Sequence, residues 1–367
     1  MLSPEQTKLT LGFIPLTDSA PLIVAKEMGF FSQWGLQVVL QKQNSWATLR
    51  DKLQVGLLDG AQMLAPMPIA CSLGLGCKAT RVITPLVLSL NGNAITLSES
   101  LHQEVLREND FSQVTLPLAS YVLQKVISQR QQQGRPKLIF ATVFPYSCHY
   151  YQLRDWLASS HIDEKSVDII VVPPANMVAY LQSGEIDGCC VGGPWNAKAV
   201  RAGIGLTALT SFDIWQDSPE KVLGLLESWQ QQHPNTVLAL TAALKQACVW
   251  LESIPNRFEA ARLLSAYQYL DASVEVIAPS LIGSCLTHVN LAPRAIPSYN
   301  QFSQSNHGSI NIPEYIRGEW LLRQMANAGQ LKGITLSANL IKEIFRPDIY
   351  HQMRLALEAQ AVGANRP

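Results

Sequence analysis

Hydrophobic positions change their period repeatedly along this chain, and each change marks an element. The run L-T-L-G-F-I-P from Leu9 is short and aliphatic, as expected of a strand, whereas Ala20 to Gly29 repeats its apolar residues at helical spacing. The alternation continues with L-Q-V-V-L as a strand, Ala47 to Leu58 as a helix and G-A-Q-M-L-A as a strand. Strands separated by helices predict an α/β unit whose strands are mostly parallel.

A second such set follows the long strand R-V-I-T-P-L-V-L-S-L, Arg81 to Leu90. It comprises K-L-I-F-A-T-V-F-P, a helix from about His149 to Ser159, V-D-I-I-V-V-P-P, a helix from about Ala175 to Ser183, and G-C-C-V-G-G-P. From about Glu220 the pattern turns almost wholly helical, through Val237 to Leu251, Pro255 to Ala266 and Pro313 to Gly329. A loop rich in Asn, Ser and Gln interrupts it near Tyr299 to Ser309. The expected organisation is a first lobe over residues 1–92, a second over 93–196, and a return to the first over 197–367. Crossing strands near Leu90 and near Gly193 to Ala202 would make this a hinged clamp that closes on a ligand.

Bulk composition narrows the function. The 367 residues suffice for two domains of ordinary size, 47% of them apolar and 15% charged, so a disordered chain is excluded. Lys plus Arg equals Asp plus Glu at 28 each with no basic run, which removes the electrostatic footprint of direct nucleic-acid binding. No stretch reaches the roughly 18 to 20 apolar residues of a membrane span. M-L-S-P-E-Q-T-K-L-T has no charged n-region leading into an apolar one, so the expected location is the cytoplasm. Seven scattered cysteines, without a C-x-x-C, fit a reducing compartment and small core residues; no metal site and no cofactor are expected.

Candidate chemistry lies in five motifs: N-S-W-A-T-L-R-D-K-L, L-N-G-N-A-I-T-L, F-P-Y-S-C-H-Y-Y-Q-L-R-D-W-L-A, C-V-G-G-P-W-N and S-P-E-K-V-L-G. In this order they resemble the nitrate-binding proteins of bacterial ABC transporters, from about Leu9 to about Gln330 and including E-W-L-L-R-Q-M-A-N-A-G-Q. Among these the chain looks most like the NasS-type soluble nitrate sensors. The resemblance implies a two-lobe fold of the periplasmic-binding-protein type (type II), with C-terminal helices extending the first lobe.

It also implies a ligand set: Trp46, Asn93, His149, Gly192 and Lys221, with Gln62 and Gly193 behind them. Relatives carry Gln where Asn93 stands and often Glu where Gly193 stands. Each residue has an ordinary structural alternative. Trp46 fits a core cap, Asn91-Gly92-Asn93 a turn, Gly192-Gly193 a tight bend, and Lys221 the exposed start of a helix. Ser147 is placed to cap the helix that His149 opens, and that helix end favours an anion. Arg50 and Asp51 read as an exposed pair, Met63 and Met67 as core.

The chemistry agrees with a nitrate or nitrite ligand. Nitrate carries no proton, so a selective site offers donors and positive charge and presents no carboxylate. Related bicarbonate binders carry Glu at the lysine position, where an acceptor for the bicarbonate O–H is useful. His149 would titrate near neutral pH and tune anion affinity.

The function implied is a cytoplasmic nitrate and nitrite sensor that binds a NasT-like ANTAR-domain antiterminator. The alternative is the substrate-binding component of an ABC importer for nitrate, nitrite or bicarbonate. Thiamine-pyrimidine synthases share the clamp fold but carry C-C-C-F-C, of which Cys189-Cys190 is a fragment. No nucleophile–base pair, catalytic carboxylate pair or phosphate loop is recognisable, so an enzyme is not expected.

Overall fold

A computed structural model describes residues 3–364. In strand β1 (Lys8–Phe13) Leu9, Leu11 and Phe13 are buried, and the chain then turns into the helix Ala20–Glu27. Strands β2 (Gln37–Lys42) and β3 (Gly60–Leu64) flank β1 and run parallel to it, joined through the helix Trp46–Gln54. Strand β4 (Val82–Asn91) is buried along its whole length.

Only Gly92 separates β4 from β5 (Asn93–Ser98), and the two strands belong to different sheets. Asn91 and Gly92 turn the chain there with φ of 61° and 95°; a Cβ at Gly92 would also lie 2.5 Å from Asn300 Oδ1. The second sheet adds β6 (Leu138–Thr142), β7 (Val167–Val171), β8 (Gly188–Gly192) and β9 (Gly205–Thr210), in the order β7-β6-β8-β5-β9. β6 is parallel to both its neighbours, while β5 is antiparallel to β8 and β9.

The chain returns to the first sheet in β10 (Pro219–Leu226), which lies antiparallel between β3 and β4. With the short strand Asn300–Gln301 at its edge, that sheet has six strands. Helices Pro234–Trp250, Ile254–Leu264 and Pro347–Ala364 join the core of the first lobe. The expected α/β two-lobe clamp with a helical C-terminal extension is the observed architecture.

Four expectations change. The strands are not mostly parallel, because β10 and β5 each run antiparallel to both their neighbours and make the two sheets mixed. Pro219–Leu226 is a central strand rather than the start of a helical stretch, and its burial through to Leu225 explains the misreading: a strand covered on both faces shows no alternation. The second sheet extends beyond residue 196, because β9 pairs with β5 and buries Leu206, Ala208 and Leu209 in that lobe's core. The return crossing therefore lies at residues 211–218 rather than at Gly193 to Ala202, where the helix Trp195–Arg201 forms instead. A later segment also reaches the second lobe: Thr207 N–H donates to Thr287 O at 2.8 Å, and Arg294 pairs with Asp213 at 2.7 Å.

Candidate anion-binding site

The carboxyl ends of the parallel strands face the cleft, where open α/β sheets present their ligands. From the first lobe come the turn after β1, which carries Asp18, the helix start at Trp46, Gln62 on β3, and Glu220 with Lys221 on β10. From the second come Asn93 on β5, the helix start at His149 and Gly192 at the end of β8. Ser147 caps its helix as expected, accepting from Tyr150 N–H at 3.1 Å.

Trp46, Asn93, His149 and Lys221 are all 0% exposed, so a ligand reaches them only when the lobes part. Lys221 Nζ lies 5.5 Å from the centroid of the Trp46 ring. Among the described residues Trp46 Nε1 and both ring nitrogens of His149 make no hydrogen bond, although His149 Nδ1 lies 3.5 Å from Glu220 Oε1. A buried, unpaired donor costs about 1–3 kcal/mol, so two side chains left in that state beside one ammonium mark a place built for a polar guest.

Gly192 adds a main-chain donor. It stands opposite Asn93, and because Gly193 N–H donates to Gly92 O at 3.2 Å, this is a non-hydrogen-bonded pair of the ladder. The Gly192 N–H therefore points away from β5, toward the side of β6, whose pairing with β8 stops at Ala141 and Cys189. A Cβ on Gly192 would sit 3.5 Å from both Asn93 Oδ1 and Asp18 Oδ2, among the polar groups. Gly193 has a different job: a Cβ there would come within 2.7 Å of Thr17 Oγ1 and 2.9 Å of Ser280 Oγ, and its carbonyl accepts from Thr17 N–H at 2.8 Å. It lets the two lobes touch.

The expectation of a site without carboxylates fails. Glu220 Oε1 accepts from Lys221 Nζ at 2.6 Å, and Glu220 Oε2 accepts from Asn93 Nδ2 at 2.7 Å. Asp18 Oδ2 lies 2.7 Å from Lys221 Nζ, close enough to pair electrostatically but not aligned as a hydrogen bond. Gln62 holds Asp18 by donating from Nε2 to Oδ1 at 2.7 Å, while its Oε1 accepts from Ile14 N–H at 3.3 Å. Asn93 also donates to Gln152 Oε1 at 3.1 Å.

Consecutive strand residues point to opposite faces, yet Glu220 and Lys221 meet. The pairing of β10 with β4 slips on both sides of Lys221, a bulge that turns both side chains into the same space. No sequence signal reveals this. Asp18, in the P-L-T-D-S turn after β1, had at least a position to betray it, since a carboxylate directly after a strand's carboxyl end faces the cleft.

Burial pushes the Glu220 carboxyl up to about 7 although the Lys221 charge pulls it down. Lys221 is raised above its ordinary value; burial works against this, but the Asp18 and Glu220 carboxylates outweigh it. Burial, and then the Lys221 charge, hold His149 well below 6.5. His149 thus stays neutral at neutral pH, offering one N–H, and the group expected to titrate there is Glu220 instead.

A two-lobe binding protein with a sealed polar cleft is the class these features define. The chain belongs to the NMT1-like family, which it matches over residues 2–265. It is 33% identical over 365 residues to the nitrate/nitrite binding protein NrtA of Synechococcus elongatus, covering 97% of this chain and 79% of that one. The crystal structure of the periplasmic nitrate-binding protein NrtA from Synechocystis PCC 6803 superimposes with a TM-score of 0.88 at 30% identity, covering 97% of this chain and 90% of that one. The nitrate import ATP-binding protein NrtC of Synechocystis sp. is 38% identical over 351 residues, covering 94% of this chain. The chain spans about half the length of that relative, 50%.

Proposed function

We propose that this chain is a receptor for nitrate or nitrite, bound between the lobes without chemical turnover. The observation that carries the reading is the set of donors at Trp46, His149 and Gly192 around the buried Lys221 ammonium. Four hydrogen bonds to a charged ligand at about 1.5 to 3 kcal/mol each total about 6 to 12 kcal/mol, a range that brackets the roughly −8 kcal/mol of micromolar binding. The NrtA relatives, named for nitrate and nitrite, support the same ligand class.

Glu220 sets a condition. Its carboxylate occupies donors of Lys221 and Asn93 that an arriving anion would share, so anion and ionised Glu220 oppose one another. Uptake of one proton by Glu220 relieves that opposition and leaves an O–H donor. Bicarbonate, which brings its own O–H, tolerates an ionised Glu220 better than nitrate does.

For the output, the reading is a cytoplasmic sensor that holds a NasT-like ANTAR-domain antiterminator in one ligand state and releases it in the other. Ligand drives release only if the partner-free form binds it more tightly. A second reading, a receptor module within an ABC importer, draws support from the identity with NrtC.

Isothermal titration with nitrate, nitrite and bicarbonate, repeated on Lys221→Glu, tests the ligand. Nitrate or nitrite binding that the substitution abolishes is expected, and binding of bicarbonate alone would overturn it. Size-exclusion of the chain with an ANTAR-domain antiterminator, with and without nitrate, tests the sensor. Cell fractionation tests its location.

A further inference from the structure

Away from the cleft, the second lobe brings together two imidazoles and a carboxylate. Glu99 is the first residue of the helix Glu99–Asn109, and His102 stands one turn on, on the same face. His288 arrives from a segment 186 residues away in sequence, of which the neighbouring Thr287 carbonyl is fixed by the N–H of Thr207 on β9 at 2.8 Å. Leu291 packs onto the second-lobe core just beyond it. Three backbone elements therefore hold the cluster in place.

One ligand atom from each of Glu99, His102 and His288 lies within 4.8 Å of the others. His102 Nδ1 is 3.3 Å and His288 Nε2 is 3.0 Å from the same oxygen, Glu99 Oε2, and the two rings stand edge to face with centroids 5.0 Å apart. A tetrahedral ion with ligands at about 2.0 to 2.1 Å spaces them about 3.3 Å apart, which two of the three pairs already approach. Glu99 Oε1 accepts from Gln103 Nε2 at 2.7 Å, the kind of outer contact that orients a ligating carboxylate.

We propose that Glu99, His102 and His288 form a binding site for a divalent transition-metal ion, with zinc as the ion best matched to two nitrogens and one carboxylate oxygen. Glu99 is 32% exposed on its side chain, so water can complete the shell from solvent. At His288 Nδ1 the ring accepts from Asn290 N–H at 3.3 Å, and metal at Nε2 requires that nitrogen to carry the proton instead. Asn290 is exposed, so this long contact yields at little cost. An occupied site ties the segment around His288 to the helix at Glu99. That segment follows directly on the helix Val274–Leu281, whose Ser280 lies against Gly193.

The test is competition of the full chain against a chromophoric zinc chelator, with cobalt substitution read by absorbance. One zinc per chain is expected, with cobalt d–d bands of a nitrogen and oxygen shell. Removing a direct ligand should weaken zinc at least as much as losing an outer contact, so His288→Ala and Glu99→Gln should each raise its Kd by about tenfold or more, and His307→Ala should not. Zinc binding equal in all variants, no binding by the native chain at micromolar metal, or a cobalt–thiolate charge-transfer band from the free cysteines would overturn the site. The cobalt spectrum of the native chain decides even if a variant folds poorly.

Discussion

Two charged clusters in this molecule differ in how completely they are satisfied. In the second lobe Glu104 accepts from Arg130 Nη2 at 2.6 Å and from Arg135 Nη1 at 2.7 Å, and Arg130 reaches Asp187 at 3.3 Å. The arginines pull the Glu104 carboxyl below its usual value despite its burial, and both its oxygens are used. In the cleft, burial is total, a carboxyl is pushed up, and the Trp46 indole and His149 imidazole nitrogens make no hydrogen bond among the described residues. The first arrangement closes on itself and belongs to the structure. The second is incomplete without a guest, and incompleteness rather than charge identifies the site.

The largest effect expected is from Lys221→Met, which removes the shared cation and strands Asp18 and Glu220. Anion binding should vanish in a titration, and denaturant unfolding should show a loss of about 3–5 kcal/mol. Glu104→Ala should cost about 2–3 kcal/mol in the same unfolding experiment, near the low end for a broken buried pair because Asp187 still serves Arg130. Its nitrate affinity should stay within about twofold; a larger change would erase the distinction between the clusters.

Trp46→Phe keeps an aromatic ring near the ammonium, deletes the N–H and trims the buried indole to a smaller ring. Nitrate binding should weaken by about 1.5–3 kcal/mol, while the free protein should lose only the roughly 1 kcal/mol of the smaller ring, since the deleted donor makes no hydrogen bond among the described residues. A stability loss with unchanged binding would return Trp46 to the core.

Glu220 gives the most diagnostic effect. Its carboxyl titrates at about 7 when folded against an ordinary 4.5, so the folded state binds the extra proton. The associated stability is present in full below 4.5 and is lost as pH rises through about 7. Nitrate affinity should fall in the same direction, up to about tenfold per pH unit above 7, and Glu220→Gln should flatten both profiles. An unaltered profile in that variant would assign the proton elsewhere.

Local chemistry made much of this legible. The Ser147 cap, the helix starts at Trp46 and His149 and the strand ends at Asn93 and Gly192 each follow from a few adjacent residues, and the fold brings those groups together. What stayed hidden depends on distant partners. The bulge on β10 exists only against β4, Asp18 acquires meaning only from Lys221, and β9 is recognised only by pairing with β5. Gln330 closes the resembling region, in the turn after the helix Tyr315–Asn327. In three dimensions its Oε1 accepts from Tyr151 O–H at 2.8 Å and its Nε2 donates to Pro145 O, steadying the segment that presents His149. Contacts across 179 residues leave no trace in periodicity.

The single-residue splice at Gly92 bears on how such a clamp would report its guest. Asn93 follows the splice directly, and Pro219 and Glu220 follow directly on the second crossing. Groups so near the axis of a rotation travel on a short lever arm. Trp46 belongs to the same lobe as Lys221 and would keep its place beside that ammonium, and the helix start that carries His149 is tied to the second crossing, since Cys148 Sγ donates to Pro219 O at 2.8 Å. Closure would then be read by a small displacement of the second-lobe donors against a cation, an indole and a carboxylate that stay together.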